Sequence, residues 1–70
     1  MYKNLKYAMK QNRLTAADLA KTLGITVKAF RQKLWGDRKF TLDEGITLYV
    51  RHFADVNLLW LFEKDNSKKD

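Results

Sequence analysis

Thr-Ala-Ala-Asp-Leu-Ala-Lys-Thr-Leu-Gly-Ile-Thr-Val-Lys-Ala-Phe-Arg-Gln-Lys-Leu-Trp-Gly, residues 15–36, divides around a glycine into two short helix-forming stretches. Thr15 is placed to cap the first, because its hydroxyl can accept one of the amide protons that a helix start leaves unpaired. Leu19, Ala20 and Leu23 then recur at helical spacing and form an apolar stripe. Gly24 ends the helix, since the left-handed conformation of a C′ residue costs glycine nothing and other residues about 1–2 kcal/mol. One residue later Thr26 is placed to cap a second helix, in which Phe30 and Leu34 share a face. At 100° per residue, Val27, Lys28, Arg31, Gln32 and Trp35 fall on a neighbouring arc that points away from that face. The spacing predicts helices over 16–23 and 27–35.

A helix, a three-residue turn with glycine and a second helix with a basic, polar outer arc form the pattern of a DNA-reading helix-turn-helix. The string Leu19-Ala20-x-x-Leu23-Gly24-Ile25-Thr26, followed by Phe30, Leu34 and Gly36, resembles the Cro/repressor-type (XRE, lambda-repressor-like) helix-turn-helix family of bacteria and their phages. The likeness extends to residues 2–5 before the string and 40–46 after it, so it covers most of the chain. Ala16 stands where that family often has glutamine, and Trp35 where a small polar residue is more usual. The resemblance implies a lambda-repressor-like domain that regulates transcription, as a homodimer on a two-fold operator, in the cytoplasm of a bacterial cell.

Outside the motif the sequence is helical throughout. Leu5, Ala8 and Met9 predict an inward face for a first helix over 2–12, with Lys3, Lys6, Lys10 and Arg13 on its polar side. Asn12-Arg13 is the connection, and Leu14 is expected to pack ahead of the second helix. Residues 36–39 read as a polar loop. Thr41-Leu-Asp-Glu44 is a capping box opening a helix over 42–54, with Leu42, Ile46, Tyr49, Val50 and Phe53 expected inward. Asn57 caps a final short helix, Leu58-Leu59-Trp60-Leu61-Phe62, whose five consecutive apolar residues surround it on all sides. One face of the domain cannot cover them all. Either the helix is plugged deep into the core with one residue exposed, or part of Leu58–Phe62 forms a dimer or partner interface, which so small a domain favours. The expected architecture is all-α, five helices in one domain over 1–63, followed by a charged tail at 64–70.

The net charge of +6 is unevenly placed. Residues 1–39 carry ten Lys/Arg against Asp18 and Asp37, a balance of +8, whereas residues 40–70 carry four against six, a balance of −2. A basic half that contains the helix-turn-helix suits a polyanion. With 46% apolar residues a core is feasible, although a chain of 70 residues buries only about 60% of its unfolded surface. There is no cysteine and a single histidine, His52, so neither a thiolate metal site nor a disulfide framework is available. No apolar run approaches a membrane span of roughly 20 residues, and no signal-peptide h-region follows the N-terminus. Ser67, the only serine, lies in the tail, and Asp43 and Glu44 diverge on a helix. No nucleophile–base pair or phosphate loop is visible, so no catalysis and no cofactor are expected.

For DNA, Arg31 is suited to guanine O6 and N7 and Gln32 to adenine N6 and N7, each pair discriminating by about 1–3 kcal/mol. Lys28 suits a base or a phosphate, and Val27 a thymine methyl. Thr15 and Thr26, each at a helix start, and Arg38 and Lys39, in the following loop, are candidate contacts to the DNA backbone. A second reading stays open. Ala16, Ala17, Val27 and Trp35 make the outer surface less polar than a strong operator binder requires, and that surface or the 58–62 helix suits a phage repressor protein as partner. The chain would then be an antirepressor or modulator.

Overall fold

The computed structural model describes residues 1–64, and among them it is all-helical, without strands. The elements are α1 (Lys3–Gln11), α2 (Ala16–Leu23), α3 (Val27–Trp35), α4 (Leu42–His52) and α5 (Leu58–Leu61). Apart from Lys64, the expected tail lies outside the described residues. No helix is long and apolar enough to cross a membrane.

The helix starts follow local chemistry. The Thr15, Thr26, Thr41 and Asn57 side chains each accept an amide proton from the first turn of α2, α3, α4 and α5. The stops of α1, α2 and α3 share one device. Arg13, Gly24 and Gly36 all take left-handed backbone, with φ of 57°, 71° and 96°. In each case the next amide reaches back five residues, from Leu14 to Met9, Ile25 to Ala20 and Asp37 to Gln32, at 2.8–3.0 Å. This is the Schellman closure, which satisfies carbonyls that the helix end would leave bare.

α2 packs on α3 and α4, and α1 packs on α5. The core is Leu5, Ala8, Met9, Leu19, Ala20, Phe30, Leu34, Leu48, Phe53 and Leu61. Phe40 closes it at one end, its ring 5.3 Å from Tyr2, 5.9 Å from Phe30 and 5.7 Å from Phe62. Polar ties span the chain. The Tyr2 amide donates to the Leu34 carbonyl at 3.0 Å. The Asn4 side chain donates to the Trp60 carbonyl at 2.9 Å.

α4 turns Tyr49 and Phe53 inward as expected, but not the rest of its expected face. Leu42, Ile46 and Val50 are exposed, at 78%, 44% and 63%, while Leu48 and Phe53 are fully buried. The inward side of α4 is the one bearing Glu44, Leu48 and His52. It reads as polar in isolation, but other helices supply partners for its polar groups. Lys33 of α3 reaches Glu44. Thr22 of α2 lies 2.8 Å from His52 Nε2, and gives its own proton to the Asp18 carbonyl at 3.1 Å. The hydroxyl therefore accepts from the imidazole N–H. α4 also stops at His52, two residues short of the expected end, with Phe53 as its C-cap.

Candidate nucleic-acid interface

Phe30, Lys33 and Leu34 bury the inner side of α3. That fixes which residues face outward. Val27, Lys28, Arg31, Gln32, Trp35 and Asp37 line one shallow surface hollow. The four residues expected to read bases thus share one surface. Lys28 and Arg31 are exposed, whereas Val27 and Gln32 are half-buried. The Val27 stem also packs against the core, so it holds the helix in place as well as contributing surface.

The sequence favours Trp35 as a partly buried core residue over a contact to the sugar-phosphate edge. Instead it is 54% exposed at the end of α3 and lines the hollow. Lys6 of α1 places its ammonium 5.2 Å from the Trp35 ring centroid. This cation–π contact brings a charge from α1 to the margin of the α3 surface.

At the start of α3, the Thr26 hydroxyl accepts the Ala29 amide at 3.0 Å. The preceding amides of that turn have no intrahelical acceptor, and the turn itself contains no acidic residue, which suits an anion. Thr15 differs. Its amide and hydroxyl both donate to Asp18 Oδ2, at 2.8 and 3.0 Å, while its hydroxyl accepts the Asp18 amide at 3.2 Å. The Thr15 amide, and after it the hydroxyl, hold the Asp18 carboxyl below its ordinary value, so a carboxylate stands over this helix start. Thr15 is therefore a cap whose donors are spent, and a phosphate there would meet a like charge. Asp18 was legible as the fourth residue of a Thr-x-x-Asp capping box.

Arg38 and Lys39 are exposed on the loop that leaves α3. The backbone of that loop is held inward, with the Arg38 amide donating to the Gln32 carbonyl at 3.2 Å and Lys33 Nζ to the Lys39 carbonyl at 3.0 Å. Lys33 itself is buried, with its ammonium 2.9 Å from Glu44 Oε1. It belongs to the scaffold and adds nothing to the exposed charge. Its position, three residues after Phe30 and beside Leu34, was the available signal.

The residues marked for an interface at the chain's end divide. Leu61 is fully buried, and Phe62 is half-buried, packed in the aromatic cluster with one side on a surface groove. Leu58, Leu59 and Trp60 are exposed, Leu59 at 82%. A five-residue apolar run needs no partner for the half that plugs the core.

Compared with family models, curated proteins and solved structures, the chain matches none.

Proposed function

We propose that this chain is a Cro/repressor-type helix-turn-helix regulator that binds operator DNA by placing α3 in the major groove. The observation carrying this reading is that Val27, Lys28, Arg31 and Gln32 share one outward surface on a helix locked from behind. The major groove is wide enough to admit such a helix. Arg31 reads guanine and Gln32 adenine through paired hydrogen bonds. Val27 meets a thymine methyl, and Lys28 serves base or phosphate. Thr26 with the α3 amides, and Arg38 with Lys39, hold the sugar-phosphate backbone. The scaffold beneath matters because base contacts fail with small misplacements of the helix that carries them.

One observation favours the second reading, that the partner is a repressor protein. The exposed Trp35 indole forms part of the α3 surface, and aromatic residues are enriched where proteins meet. Selection from a pool of randomised duplexes separates the two. Enrichment of a defined sequence supports operator binding. A pool that enriches nothing, together with a stable complex with a repressor from the same genome, overturns it in favour of the second reading.

A further inference from the structure

Leu42, Ile46 and Val50 form an exposed apolar stripe along α4, one residue per turn. Leu58 and Leu59 lie along one side of it, and together with Tyr2, Phe40, Gly45 and Phe62 they line a shallow groove beside Leu42 and Ile46. The opposite side of the stripe is charged. Asp43 and Arg51, both exposed, stand two turns apart with Thr47 midway, and neither makes an ion pair among the described residues. This surface shares no residue with the α3 hollow.

We propose that this face is the contact between two copies of the chain, with α4 packed antiparallel on α4 of the second copy about a two-fold axis near Ile46. The observation favouring a second copy over another partner is self-complementarity. A two-fold axis there pairs Leu42 with Val50 across the contact and Ile46 with its own counterpart. The same axis sets each side of the stripe against its own kind. Leu58 and Leu59 then meet apolar residues, and Asp43 of one copy lies beside Arg51 of the other, twice. An acidic residue and a basic residue equidistant from the centre of an apolar stripe match a copy of themselves in this orientation only.

The size is consistent. The five exposed aliphatic residues present on the order of 500 Å² per copy, at the upper end of what a monomer leaves bare and short of the ~800 Å² per partner of a standard interface. The expected association is therefore micromolar and reversible. It stands independently of the DNA reading, because it is measured without DNA.

Sedimentation equilibrium of the full chain tests it, with circular dichroism confirming that each variant folds. The wild type is expected to show a monomer–dimer equilibrium, and Val50→Lys to weaken it at least tenfold. Asp43→Arg and Arg51→Asp are each expected to weaken it several-fold, and the double variant to restore it. A chain that stays monomeric into the millimolar range overturns the proposal. So does a dimer indifferent to Val50→Lys, or a pair of charge reversals that fail to rescue one another.

Discussion

Lys33 of α3 and Glu44 of α4 form an ion pair with a 2.9 Å Nζ–Oε1 separation, nine-tenths hidden from solvent on the lysine side. Glu44 Oε1 also accepts the Thr41 amide at 3.0 Å, so one oxygen joins the capping box of α4 to the helix bearing the candidate base-reading residues. Removing one partner of such a pair leaves the other charge without compensation. Lys33→Ala is expected to cost about 2 kcal/mol in urea unfolding, below the roughly 3–5 kcal/mol of a fully buried pair because Glu44 keeps some solvent and its cap. Lys33→Met with Glu44→Gln is expected to recover most of that loss, since no unpaired charge remains.

The same pair sets an acid limit. Burial alone would raise the Glu44 carboxyl, but the Thr41 amide, the Lys33 ammonium and the Thr41 hydroxyl together outweigh it and hold the group below its ordinary 4.5. A carboxyl depressed in the folded state binds its proton more readily when unfolded. Its stabilisation is therefore complete above the unfolded value and disappears as pH falls through the lower native one. Asp18, lowered by the Thr15 amide and hydroxyl, acts in the same direction. Melting temperature is expected to be flat from neutral pH to about 5 and to fall below about 4. Glu44→Gln is expected to flatten part of that fall.

Arg13 carries the left-handed conformation that glycine carries at the ends of α2 and α3. A side chain there costs about 1–2 kcal/mol in strain, partly offset because glycine loses more backbone freedom on folding. Arg13→Gly is expected to stabilise the protein by about 0.5–1 kcal/mol in thermal unfolding, and Arg13→Val to destabilise it by at least that much.

Trp35 and Phe30 lie on opposite sides of one helix and should respond oppositely. Phe30→Ala opens a cavity in the core and is expected to cost about 3–5 kcal/mol. Trp35→Ala is expected to cost under about 1 kcal/mol, since it removes exposed area and one cation–π contact with Lys6. Urea unfolding of both variants checks the contrast.

Much of this was legible in residues 15–36 because their signals are local. Thr26, Gly24 and the Phe30–Leu34 spacing determine caps, turn and inner face within a few residues of themselves. α4 has Tyr49 and Phe53 inward as expected, but its Leu42, Ile46 and Val50 were misread for the opposite reason. Its inward side carries Glu44 and His52, which become acceptable there only when Lys33 and Thr22 arrive from other helices. Leu42, Ile46 and Val50 have the ideal spacing of a core stripe and nothing inside the domain to cover them. Arg13 escaped notice because its left-handed turn is imposed by the Leu14–Met9 hydrogen bond and not by its own preference. The surface set on α3 needed only helical periodicity, whereas Thr15 needed the observation that Asp18 takes its donors.

The most direct test of the central claim is a fluorescence-anisotropy titration against the duplex flanking the chain's own gene and a scrambled duplex, at about 50 and 200 mM salt. Operator binding by α3 requires discrimination well above tenfold and a steep loss of affinity with salt. Arg31→Ala should relax that discrimination by about 1–3 kcal/mol, and Lys39→Ala should weaken both duplexes alike. Binding that ignores sequence, or discrimination that survives Arg31→Ala and Gln32→Ala together, would contradict the account.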